Sequence, residues 1–215
     1  MSPNNGPVPN LPPRVRQNVA MKKLLATTGL IFACTVMAGC AGDSGTADSG
    51  DSSDSGTGTS QITFTTNLGP VTVQTDSAAP ETVAAQTKLV EDGYFDGTPC
   101  HRVVTDGIYV LQCGDPTGTG TGGPGYQLAD ENLPATTADN YPVGTVAMAN
   151  SGPNTAGSQF FIVYQDTTLP PGYTVWGEVS DGLDVVKDIA KQSKKAGVSD
   201  GPPQPEVVIE TASAN

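Results

Sequence analysis

Past residue 60 the apolar residues of this chain come in short runs, each closed off by a loop rich in glycine or proline. With 26 glycines, 18 prolines and 6% aromatic residues, the composition favours many turns and short strands over long helices. Gln61-Ile-Thr-Phe-Thr65 and Val71-Thr-Val-Gln-Thr75 alternate with period two across the turn sequence Thr66-Asn-Leu-Gly-Pro70, which predicts a hairpin. Further strands are expected around His101–Val104, Ile108–Gln112, Val143–Met148, Gln159–Tyr164, Thr174–Val179 and Pro205–Thr211. Two helices interrupt this pattern. Pro80–Glu91 has proline in its first turn and Gly93 as a stop, with Val83, Leu89 and Val90 toward the core. Asp181–Gln192 places Leu183, Val186, Ile189 and Ala190 on one side. The last strand is positioned to pair with the first. A sheet closed on itself, with a helix over each open end, is the economical architecture because closure removes unpaired edges.

The first 60 residues read differently. Residues 1–20 hold five prolines and no apolar periodicity, as in an unstructured leader or an over-extended start. Residues 21–39 begin Met21-Lys-Lys23 and continue in an apolar run to Ala38, the pattern of a secretory signal. The run is interrupted by Thr27, Thr28 and Gly29 and is shorter than the roughly 20 apolar residues of a spanning helix. Its end, Val36-Met-Ala-Gly-Cys40, resembles the lipobox of bacterial lipoproteins, which implies lipidation of Cys40 and a protein anchored on the extracytoplasmic face of the cell membrane. Ala41–Ser60 contains only Ser, Gly, Asp, Thr and Ala, so residues 40–60 are expected to form a disordered tether. Residues 61–215 form the folded domain.

Charge narrows the partners. The chain carries a net −12, and removal of residues 1–39 takes away Arg14, Arg16, Lys22 and Lys23 with no acid, leaving −16. A nucleic acid partner is excluded on that balance, since phosphate contact needs a clustered basic surface. Lys187, Lys191, Lys194 and Lys195 are the one basic cluster, with the spacing of a solvated helix face.

Most catalytic constellations are excluded by count. Any triad would have to use the only histidine, His101, yet His101 and Arg102 are adjacent and point to opposite faces of a strand. Cys100, His101 and Cys113 lack a fourth zinc ligand. The glycine-rich loop Gly114–Tyr126 is not followed by Gly-Lys-Ser/Thr, so it reads as a flexible rim loop and not as a phosphate cradle. Trp176 on a strand reads as core. What remains is Arg102, an arginine in the middle of an otherwise apolar strand, where burial is unfavourable unless the group is used.

Pro99-Cys-His-Arg-Val-Val104, Ile108-Tyr-Val-Leu-Gln-Cys-Gly-Asp115, Met148-Ala-Asn-Ser-Gly-Pro-Asn-Thr155 and Gly157-Ser-Gln-Phe-Phe-Ile162 occur in that order, and together they resemble the signatures of cyclophilin-type peptidyl-prolyl isomerases. The wording Leu111-Gln-Cys-Gly-Asp-Pro-Thr-Gly-Thr-Gly120 is similar to lipoprotein members from high-GC Gram-positive bacteria. The resemblance spans residues 61 to 212. It implies a mainly β fold, a closed eight-stranded antiparallel β-barrel capped by two α-helices, and isomerisation of X-Pro bonds with no cofactor and no metal. It assigns Arg102, Gln112 and Tyr109 to catalysis. Val110, Gly120, Ala149, Asn150, Ser151, Gln159, Phe161, Leu169 and Tyr173 are assigned to substrate binding.

The departures carry expectations of their own. Two extra residues separate Arg102 from Gln112, enlarging the turn around Thr105-Asp-Gly107. Tyr109 and Val110 stand where phenylalanine and methionine are usual, and Tyr173 stands for a histidine. Thr168 occupies the place of a drug-binding tryptophan, which implies weak cyclosporin binding. The resemblance further implies a monomer whose partners are proline-containing polypeptides, assisted in folding outside the membrane. A proline-peptide binding or chaperone module with little catalysis is the alternative. In an oxidising compartment a Cys100–Cys113 disulfide is an option. Pairing of 102 with 112 counts against it, because it sets 100 and 113 out of register and on opposite faces.

Overall fold

The computed structural model describes residues 60–215; the leader, the signal, Cys40 and nearly all of the tether lie outside the described residues. The domain is mainly β: one strongly curled antiparallel sheet with two helices. The elements are β1 (Gln61–Thr66), β2 (Gly69–Thr75), α1 (Pro80–Glu91), β3 (Thr98–Pro99), β4 (Arg102–Val104), β5 (Val110–Cys113), β6 (Thr145–Met148), β7 (Phe160–Val163), β8 (Val175–Asp181), α2 (Leu183–Lys195), β9 (Asp200–Gly201) and β10 (Val208–Ala214). The sheet order is β3-β10-β1-β2-β8-β6-β7-β5-β4-β9. β3 and β4 are two ends of one bent segment, so the partner of β10 and the partner of β5 are joined through Cys100 and His101. Counting that segment once and setting aside the short β9, eight strands make up the curl. Register shifts at Thr65/Thr66, Thr72/Val73 and Val146/Ala147 supply local bends and added twist.

Elements form where the local pattern places them. The β1–β2 hairpin closes on Asn67-Leu68, tighter than the five-residue turn expected, because Thr66 Oγ1 donates to Gly69 O and accepts from Leu68 N. α1 has the expected bounds; Leu89 and Val90 are buried and Val83 packs at the core's edge. Its N-terminus has no local side-chain cap. Glu131 supplies one from a distant loop, accepting from Glu81 N, Thr82 N and Thr82 Oγ1. α2 begins at Leu183, two residues later than expected, because β8 runs on to Asp181 and Gly182 turns the chain with φ 82°. A Cβ on Gly182 would lie 2.1 Å from Pro70 O, so that turn requires glycine.

Two apolar clusters lie on opposite faces of the same strands. The interior cluster includes Ile62, Phe64, Val73, Leu111, Met148, Phe160, Ile162 and the fully buried Trp176, closed by Leu89 of α1 and Ile189 of α2. The second comprises Val104, Val110, Tyr141, Ala147, Phe161 and Val163, with Ile108, Ala149, Leu169, Tyr173 and Val175 packed against it. β6 and β7 are therefore buried on both faces, and this second cluster holds the candidate site.

Candidate active site

Antiparallel pairing sets Arg102 opposite Gln112, and Gln112 opposite Phe161. Strand alternation then puts Val110, Gln112 and Phe161 on one face and Leu111 and Phe160 on the other. Arg102, Ile108, Val110, Gln112, Ala149, Asn150, Phe161, Leu169 and Tyr173 line a cavity of about 180 Å³. Its floor is aromatic. Phe161 and Tyr173 meet edge to face at 5.5 Å, and the fully buried Tyr141 approaches both at 6.1 Å. The Tyr141 hydroxyl donates to Tyr173 O and accepts from Tyr173 N. Burial pushes that phenol up to about 12, so it stays a protonated donor. Leu169 is held from behind by Asn140, which accepts from its N–H and donates to its carbonyl.

The polar half of the site is a single chain of hydrogen bonds. The Gly120 and Gly122 carbonyls accept from Gln159 Nε2 at 3.0 and 2.8 Å, which fixes the Gln159 amide. Gln159 Oε1 accepts from Gln112 Nε2 at 2.9 Å, so Gln112 turns its own oxygen toward Arg102, with Nη1 at 3.4 Å. Beyond Gln112 a wider groove of about 740 Å³ opens, lined by Gly120, Ala149, Asn150, Ser151, Gln159 and the rim loop. Asn150 is anchored at both ends of its amide, donating to Gly172 O at 2.7 Å and accepting from Gly152 N at 3.2 Å. Its own backbone N–H and C=O make no backbone hydrogen bond among the described residues, which leaves a strand-like ledge for an extended peptide.

The structure thus brings together eleven of the twelve expected residues and displaces one. Tyr109 does not line the site. Alternation places it opposite to Val110, where it packs edge to face on Tyr164 at 6.0 Å and lines a separate cavity with Lys187 and Lys191. The longer Thr105–Tyr109 turn brings Ile108 to the site in its stead. The rim loop expected to be flexible is hydrogen-bonded internally to one carboxylate. The buried Asp115 carboxylate accepts from Thr117 N, Thr117 Oγ1, Thr119 Oγ1, Gly120 N and Gly122 N. Burial alone would raise the Asp115 pKa, but those donors hold it well below the carboxylate range. Gly122 approaches so closely that a Cβ there would lie 2.0 Å from Asp115 Oδ1.

Cys100 and Cys113 form a disulfide. Strand alternation does not hold the two cysteines apart as expected, because Cys100 and His101 fall in the bend between β3 and β4, where alternation does not carry through. His101 diverges from Arg102 and packs beneath Gly120 as a support residue. Sequence reasoning missed Ile108, Asp115, Tyr141 and Asp200. Asp200 takes a two-pronged ion pair from Arg102, Nε to Oδ1 at 2.7 Å and Nη2 to Oδ2 at 2.8 Å. Asp115 alone left a signal, an acid ahead of a Gly/Thr run.

Residues 61–214 match the family described as cyclophilin type peptidyl-prolyl cis-trans isomerase/CLD. The chain belongs to that family. It is 47% identical over 161 residues to the probable peptidyl-prolyl cis-trans isomerase B of Mycobacterium tuberculosis, covering 70% of this chain and 52% of that protein. The probable isomerase B of Mycobacterium leprae is 48% identical over 158 residues, covering 68% and 54%. This chain therefore spans about half the length of the mycobacterial relatives it matches. Isomerase B of Bacillus subtilis is 43% identical over 116 residues, 53% of this chain and 77% of its own. Among solved structures, a cyclophilin-type isomerase of Cryptosporidium parvum crystallised in the presence of the dipeptide Ala-Pro superposes with a TM-score of 0.62 at 29% identity, covering 72% of this chain and 98% of that one.

Proposed function

We propose that this protein is a peptidyl-prolyl cis-trans isomerase of exported polypeptides, and that it works without a covalent intermediate. The observation that carries the reading is the Arg102 guanidinium at the mouth of a small apolar pocket floored by Phe161 and Tyr173. A peptide bond resists rotation by roughly 18 to 20 kcal/mol because the amide is conjugated. For X-Pro the two isomers differ by only about 0.5 to 1 kcal/mol, so a catalyst has only to assist the loss of conjugation. In the twisted amide the proline nitrogen becomes pyramidal and basic. A fixed guanidinium can donate to it, an interaction the planar ground state does not offer. Val110, Phe161, Leu169 and Tyr173 grip the ring, and the Asn150 backbone and Gln112 hold the flanking peptide while the other half turns. Arg102→Ala is expected to lower kcat/KM on an Ala-Pro peptide at least about hundredfold with an unchanged circular dichroism spectrum. Wild-type kcat/KM in that variant would overturn the assignment.

The location rests on sequence. Cys40 at the end of an apolar signal supports a lipid anchor, and the Gly/Ser/Asp composition that follows it supports a linker between anchor and domain. The clients on this reading are proline-containing segments of proteins emerging on the outer face.

A further inference from the structure

We infer that Asp200 is a positioning residue for Arg102, orienting its guanidinium for the isomerisation step; the inference rests on the catalytic reading of Arg102 above. Arg102 opens β4, and its side chain would otherwise sweep many rotamers at the edge of the site. β9 pairs along β4 with Asp200 opposite Val104, so the Asp200 carboxylate reaches Arg102 diagonally. Its two oxygens engage Nε and Nη2 in the parallel fork that suits a planar guanidinium. The segment carrying Asp200 is itself fastened to the site. The buried Thr105 donates from its N–H to Ser199 O at 2.9 Å and from its hydroxyl to Val198 O at 2.7 Å. With Nε and one edge of Nη2 taken, Nη1 is the nitrogen left facing Gln112 and the cavity. Asp200 thus anchors the Arg102 end of the hydrogen-bond chain, while Asp115 anchors the other end through Gly120 and Gly122. Both members of the Asp200 pair are part-exposed, so the pair contributes little to stability and its consequence is orientation.

The test uses the full chain, with kcat and KM separated by NMR exchange on an Ala-Pro peptide. Asp200→Asn keeps the shape and removes the charge and one acceptor oxygen. Its kcat is expected to fall between about tenfold and hundredfold with KM within about twofold, and Tm is expected to stay within a degree or two. Asp200→Glu is expected to recover most of kcat, and the Arg102 Nε–H resonance should move in Asp200→Asn and return in Asp200→Glu. In an Arg102→Ala background, Asp200→Asn should have no further effect. Wild-type kcat in Asp200→Asn beside an inactive Arg102→Ala would overturn the positioning role alone. Full activity in Arg102→Ala would overturn the catalytic reading and this inference with it.

Discussion

Tyr141 shows how one hydroxyl organises the apolar half of the site. Its fully buried ring backs Phe161 and Tyr173 from behind the pocket, and its hydroxyl holds the Tyr173 backbone through both the carbonyl and the N–H. Tyr141→Phe keeps the ring and leaves the part-buried Tyr173 N–H and carbonyl without this hydroxyl. A loss of about 1 to 3 kcal/mol in stability is expected by denaturant titration, with KM raised more than kcat is lowered, because the loosened Tyr173 lines the pocket proposed to take the proline ring. His101 has a different consequence at the same scale. Both ring nitrogens are buried without a hydrogen-bond partner among the described residues. Burial first, and Arg102 second, lower its pKa from the ordinary 6.5 against an opposing pull from Asp115. The folded state therefore binds its proton less readily than the unfolded chain, and stability is expected to decline as pH falls below 6.5. Thermal melts from pH 8 to 5 check this; His101→Gln should flatten that part of the profile.

Among the elements, the bent β3–β4 segment joins the most parts of the fold. One end pairs with β10 and the other with β5, and the Cys100–Cys113 disulfide ties the bend to the end of β5. The sequence separation of 13 closes a modest loop, so loss of the crosslink should cost about 3 kcal/mol. Cys100→Ala with Cys113→Ala is expected to show that loss by denaturant titration. It is also expected to lower kcat/KM, because the crosslink ties the bend two residues before Arg102 to the β5 residue that follows Gln112. An unchanged midpoint would show that strand pairing alone holds the bend. α1 depends on tertiary contact in the same way, since Glu131 supplies the cap its own sequence lacks.

For the whole molecule, the reading of a tethered domain makes a cellular prediction. Cys40→Ala is expected to release the protein into the medium with isomerase activity per molecule unchanged, measured by fractionation and assay of the soluble pool. Retention in the membrane would overturn the lipid anchor.

By itself the sequence determined the two helices and the longer strands, but not the short β3 and β9 or the face that Tyr109 takes. The hairpin, both helices and the pairing of the last strand with the first follow from period-two and period-3.6 patterns, which are local properties. The family resemblance picked out eleven of the residues that meet in the site, eight of them inside its four ordered motifs. Only the tertiary structure decided which buried face became the pocket, since β6 and β7 are covered on both sides and alternation there carries no sign. It also decided that Ile108 and not Tyr109 enters the site, that Cys100 and Cys113 meet, and that Asp200 holds Arg102 across 98 positions of chain. These depend on where the curl of the sheet brings distant segments together, and no spacing in the sequence encodes that distance.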